Sequence, residues 1–166
     1  MPTIIEPENP PLLSVRCARI AQPKQNNAKT PSMSSSSYQA TTRGIRVTVL
    51  PQYLVEQSDP DENRYCWAYT ITIENDGLQT VRLRSRVWTI TDETGHVEEV
   101  RGPGVVGETP ILKPGEEFQY TSGCPLPTPS GIMVGSYQMQ TADGKMLNVA
   151  IPMFSLDSPT VRRSVN

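Results

Sequence analysis

Between Tyr65 and Ile73 the chain alternates strictly. Tyr65, Trp67, Tyr69, Ile71 and Ile73 are large and apolar or aromatic, and Cys66, Ala68, Thr70 and Thr72 between them are small or hydroxylated. Successive side chains of an extended backbone point to opposite faces, so this run lays a continuous apolar stripe along one face of a strand. A helix would scatter the same residues around its circumference. The aromatic and β-branched content also suits a pleated, half-buried surface.

The same period recurs along the chain. Ile45, Val47 and Val49 alternate with Arg46 and Thr48, and Pro51, which has no N–H to give a ladder, is expected to end that strand. Glu56 to Asn63 reads as a polar loop, and Asn75-Asp76-Gly77 as a hairpin turn. From Thr80 to Thr91, Val81, Leu83, Val87 and Thr89 share one phase. Arg82, Arg84, Arg86, Trp88 and Ile90 share the other, a switch of apolar face that signals a bulge or a crossing between sheets. Glu93-Thr94-Gly95 forms the next turn, and His96 to Val100 a short edge strand. Phe118 with Tyr120, Ile132 to Met139, and Met146 to Phe154 complete the pattern, the last with Leu147, Val149 and Ile151 in phase. No segment carries a sustained 3.6-residue period, and 16 prolines with 11 glycines favour frequent turns. Seven or eight short strands predict an all-β, antiparallel two-sheet sandwich of fibronectin type III or immunoglobulin kind.

Residues 1–42 read differently. Gln22 to Thr42 is almost wholly polar and contains Ser34-Ser35-Ser36-Ser37, too little apolar surface to offset the entropy of ordering. The expected division is a disordered tail, 1–42, and one domain, 43–166, with a frayed end from Val161. Leu12, Leu13, Val15 and Ile20 could form a short docking motif in that tail, and Met33, ten residues before the first strand-like pattern, could be the start of translation. The sequence has no run of 18 apolar residues and no basic start followed by an apolar stretch. The expectation is a cytoplasmic protein with no membrane insertion. Residues 43–166 carry eleven basic and fifteen acidic side chains, which argues against nucleic acid as a partner. Cys17, Cys66 and Cys124 are widely spaced and are expected as reduced thiols, Cys66 as a small residue within a strand.

The motifs offer little chemistry. His96 is the only histidine, placed in a turn, and nothing marks Ser122 or Cys124 as an activated nucleophile. No catalytic residue, metal site or cofactor is expected, the paired acids reading as solvated charges on strand edges. Gly102, Gly104 and Gly107 satisfy G-x-G-x-x-G, but Pro110 and Pro114 follow too closely for a phosphate-binding helix. An anion-binding or nucleotide-binding loop built from those glycines with Arg101 is the looser reading. Arg82, Arg84, Arg86 and Trp88 read as one face that could meet an acidic partner.

The stretch Gly102 to Met139, GPGVVGETPILKPGEEFQYTSGCPLPTPSGIMVGSYQM, closely resembles the ApaG family. Tyr65-Cys66-Trp67-Ala68-Tyr69 and Ile71-Thr72-Ile73-Glu74-Asn75 are similar to it as well, and the resemblance covers about residues 43–160. It implies a fibronectin type III-like sandwich. It implies a link, in bacteria, to cobalt resistance and magnesium efflux beside diadenosine tetraphosphate metabolism, and protein interaction in larger eukaryotic proteins. It brings no catalytic residues, and carries Gly102, Gly104 and Gly107 over as a proposed nucleotide contact. The expected function is a non-enzymatic module, monomer or homodimer, that binds a protein partner of unknown identity. The alternative is a binder of pyrophosphate-containing nucleotides through 102–107.

Overall fold

The computed structural model describes residues 36–159. Nine strands follow in order: β1 Tyr38–Thr42, β2 Ile45–Tyr53, β3 Tyr65–Asn75, β4 Val81–Asp92, β5 Val97–Pro103, β6 Ile111–Leu112, β7 Glu117–Leu126, β8 Ser130–Thr141 and β9 Met146–Asp157. They form two sheets, β1-β2-β3-β7 and β5-β4-β8-β9, with β6 paired to β4, and every pairing is antiparallel. The four-stranded sheet faces the five-stranded one in the antiparallel two-sheet sandwich that the alternation predicted, with nine strands in place of seven or eight.

The stripe of β3 lies inside, where Trp67, Tyr69, Ile71 and Ile73 are all buried. Opposite them stand Trp88, Met133, Tyr137, Met139, Val149, Ile151 and Phe154. Tyr69, Trp88 and Phe154 meet edge-on or tilted with ring centroids 5.3–5.9 Å apart, the geometry aromatic quadrupoles favour. Removing one such ring from a packed interior costs about 3–5 kcal/mol. Along one edge the sandwich is closed. The Tyr38 hydroxyl bonds Ser155 Oγ at 3.0 Å, the Ala150 N–H donates to Thr42 Oγ1 at 3.2 Å, and the Tyr38 and Phe154 rings are 6.1 Å apart.

Three expectations need correction. Residues 38–42, assigned to the tail, form β1, joined to β2 by the two-residue loop Arg43-Gly44 with φ of 47° and 82°. That signature was hidden because an edge strand half covered by its neighbours needs no apolar stripe. Pro51 does not end β2, which runs on to Tyr53. The pairing of β1 stops at Val49, so β2 is itself an edge where Pro51 sits, and the missing N–H removes no bond to β1. Asn75-Asp76-Gly77 is a turn but not a hairpin, because β3 and β4 belong to different sheets. Its work is done by a buried side chain: Asn75 Nδ2 donates to the carbonyls of Gln79 (2.7 Å) and Leu112 (2.9 Å), and Oδ1 accepts the Gly77 N–H (3.0 Å).

Cys66 is buried, as expected, with its N–H held by Ser58 Oγ at 2.9 Å. The expectations on the docking motif at Leu12–Ile20, on Met33, on Cys17 and on the end from Val161 fall outside the described residues. Among the described residues no helix is long and apolar enough to cross a membrane.

Asn75→Ala strips three main-chain groups of their partners, the Leu112 carbonyl among them in a buried site, and should cost about 2–3 kcal/mol. Urea denaturation is the check, with a lower midpoint at unchanged slope as the expected result.

Candidate functional site

Strand β4 changes faces part-way along. Its register against β8 shifts between Leu83 and Ser85, which leaves Arg84 as an extra residue. Before the bulge Val81 and Leu83 point inward, and beyond it Trp88 does, with Arg86 in the same phase. Arg86 is directly paired with Tyr137 of β8 on one side and Gly102 of β5 on the other. The bulge therefore separates the four residues read as one face. Arg82 and Arg84 are exposed and bonded to Thr109 Oγ1 and Gln140 Oε1, whereas Arg86 is half-buried and Trp88 is core.

The glycine motif surrounds Arg86. Its Nη1 donates to the carbonyls of Pro103 (3.0 Å) and Gly104 (2.7 Å). A Cβ on Gly102 would stand only 3.2 Å from Nη1 and 3.4 Å from Cζ, so glycine there leaves room for the guanidinium. At Gly104, φ is +57° and a Cβ would collide with the Glu108 carbonyl. The loop then closes as a tight hairpin, in which Val105 and Glu108 exchange N–H···O bonds of 2.8 Å around Val106 and Gly107. The N–H of Gly104 is bonded to the Arg84 carbonyl at 2.9 Å. Thus three N–H groups of the loop are used within the protein, and no helix begins there. Arg101 points elsewhere, its Nε 2.5 Å from Glu99 Oε1.

Three buried tyrosines belong to this region, Tyr69 lining one cleft with Arg86 and Tyr137 paired with Arg86 across β8 and β4. The hydroxyls of Tyr120 (β7) and Tyr137 (β8) bond each other at 2.5 Å, a polar rivet between the sheets. Ser122 of β7 is the direct cross-strand partner of Tyr69. Burial pushes the Tyr69 phenol up to about 12, with Cys124 adding to the rise and Ser122 and Arg86 opposing it. Burial likewise raises Tyr120 and Tyr137. All three are neutral at physiological pH.

Between β7 and the β4–β5 hairpin a cleft of about 140 Å³ opens onto this group. Arg86, Tyr69 and Ser122 supply its polar wall, Trp88, Leu126 and Met133 its apolar wall, and Glu98 also lines it. The guanidinium Nε and Nη2 make no hydrogen bond to any described residue, and no described carboxylate pairs with Arg86. A larger groove of about 280 Å³ runs beside Asn75, Asp143 and Lys145. Of its polar side chains, Asn75 is committed to the β3–β4 connection, and Asp143 to Thr141 and Lys145. Among the described residues no three His, Cys, Asp or Glu side chains cluster in a way that could hold a metal. His96 is exposed in the β4–β5 turn, which Asp92 organises by accepting the N–H groups of Thr94 and His96.

The sequence grouping of Arg86 with Trp88 holds, whereas Arg82 and Arg84 part from them at the bulge, and Tyr69, Tyr120, Tyr137 and Glu98 were not singled out as site residues. The one available signal was the phase switch itself, since an extra residue before Trp88 carries Arg86 inward with it.

Fold and cleft together define a small antiparallel sandwich domain with one edge closed and the other open. The chain matches the ApaG domain over residues 55–141. It is 63% identical over 129 residues to Protein ApaG of Rhodospirillum centenum, which covers 78% of this chain and 99% of that protein. It is 61% identical over 129 residues, with the same coverage, to Protein ApaG of Parvibaculum lavamentivorans. The crystal structure of the putative ApaA protein from Bordetella pertussis superposes with a TM-score of 0.68 at 49% identity, covering 70% of this chain and 94% of that one. The chain belongs to the ApaG family.

Val106 is β-branched yet sits at φ +45° with its side chain exposed, a conformation that costs about 1–2 kcal/mol. Val106→Asn places the favoured Asn-Gly pair in this hairpin and should raise stability by about 1 kcal/mol, read by chemical denaturation. An unfolded phenol ionises near 10, so folding holds the three tyrosines protonated. Their contribution is complete below about pH 10 and is lost as pH climbs through about 12. The thermal midpoint should begin to fall near pH 10, and a profile still flat at about pH 12 would contradict the burial of these groups.

Proposed function

We propose that this ApaG-family protein is a non-enzymatic binding module that acts in the cytoplasm through a protein partner and so influences Co²⁺ resistance and Mg²⁺ efflux. The observation that carries the reading is the open-edge cleft. Its guanidinium is fixed by the Pro103 and Gly104 carbonyls, yet its Nε and Nη2 donors meet no described residue. A preformed pocket of a few hundred Å³ or less with few convergent polar groups suits recognition of one protruding group. A base, a nucleophile and an oxyanion site within reach of one another are what acyl-transfer or hydrolytic chemistry would need, and His96 stands in an exposed turn outside the cleft lining.

The full chain, immobilised at its N-terminus, should retain a specific partner from native extract and lose it on Arg86→Glu. Cells lacking the protein should become more sensitive to Co²⁺. A partner retained equally by both chains, or sensitivity unchanged by deletion, would count against the proposal. Calorimetric titration with diadenosine tetraphosphate and ATP tests the other reading of residues 102–107. No heat at about millimolar ligand, where a Kd of 1 mM corresponds to about 4 kcal/mol of binding free energy, is the expected result.

A further inference from the structure

Arginine recognises a carboxylate best through two parallel N–H···O bonds, and the Nε–Nη2 edge of the fork offers one such pair. At Arg86 both bonds to the glycine loop are made by Nη1, so that edge is the one left over. The rest of the polar wall is rich in donors, since Tyr69 and Ser122 contribute hydroxyls. The opposite wall is apolar, with Trp88, Leu126 and Met133 all buried. The cavity is small, about 140 Å³, and the carboxylate of Glu98 also lines it. A nucleotide polyphosphate would bring several negative charges past Glu98 into a space sized for a single side chain. A single carboxylate on an apolar body meets that repulsion once and matches both walls.

We infer that the cleft beside Arg86 receives one carboxylate of a protein partner, presented by an apolar segment, with the Arg86 fork as its bidentate contact. The inference rests on the reading of the protein as a binding module and names the chemistry that the module recognises. Either a chain terminus or an acidic side chain supplies the carboxylate, and the test separates the two. Glu98 acts as a filter, weakening every anion but polyanions most.

The test uses the full-length, ¹⁵N-labelled chain and observes the Arg86 Nε–H signal during titration. N-acetyl-leucine mimics a terminus and N-acetyl-glutamic acid α-amide an acidic side chain. N-acetyl-leucine amide is the neutral control and ATP the polyanion. One or both carboxylate probes should give saturable shifts at Arg86, Ser122 and Gly123, and the tighter of the two identifies the source. Arg86→Lys should weaken binding by about tenfold or more, because a point charge cannot reproduce the fork. Glu98→Gln leaves the contacts of Arg86 with the loop intact and should tighten binding about threefold by removing a like charge. Absent shifts at Arg86, equal shifts with the neutral amide, tighter binding of ATP, or an affinity unchanged in Arg86→Lys would each overturn the inference. If Arg86→Lys loses the folded spectrum, Glu98→Gln decides alone: tighter binding supports the inference, and unchanged or weaker binding overturns it. Should the probes fail while the full chain still retains a partner sensitive to Arg86→Glu, the carboxylate falls and the module reading stands.

Discussion

The bulge at Arg84 is the constraint from which the site follows. One extra residue against β8 rotates the remainder of β4, so that Arg86 and Trp88 turn toward the interior while Arg82 and Arg84 stay outside. A half-buried guanidinium costs desolvation unless its donors find acceptors. The Pro103 and Gly104 carbonyls supply them, and Gly102 leaves the room. The glycine-rich segment is thus shaped around a side chain of its own protein. Its N–H groups turn inward to Arg84, Val105 and Glu108, the opposite of what an anion cradle requires.

The two sheets meet differently at their two margins. Where β1 and β2 lie over β9, hydroxyl bonds and the Tyr38–Phe154 contact close the seam. Where β7 faces β4 and β5, the filling is polar: the Tyr120–Tyr137 pair, Tyr69 with Ser122, and Arg86. Such a group contributes only when every member is satisfied, and no buried side-chain nitrogen or oxygen among the described residues lacks a partner. The cleft is the place where this polar filling reaches the surface.

Much of the sandwich could be read from side-chain alternation, because a strand with one buried face must declare it. β3 is the clearest case, and the inward phase of Val149 and Ile151 in β9 held as far as the bulge that shifts register between Met133 and Gly135. What alternation cannot report is a strand stabilised mainly by its neighbours, as β1 is, or the connectivity of a turn. Asn75-Asp76-Gly77 carries hairpin residues, yet it joins two sheets because Asn75 reaches the β6 carbonyl of Leu112, a tertiary contact with no local signature. The candidate site was less legible still. Counting in twos from Val81 puts Arg86 outside, and only pairing with β8 reveals the residue that breaks the count.

The arrangement of margins also sets where a cargo can be attached. The first described strand, β1, is the terminal strand of its sheet on the side away from β7. A tag, fluorophore or fused domain placed ahead of Tyr38 therefore joins the molecule at the sealed margin, a full sheet width from the Arg86 cleft. The protein can be tethered to a surface by that end with its open margin turned outward.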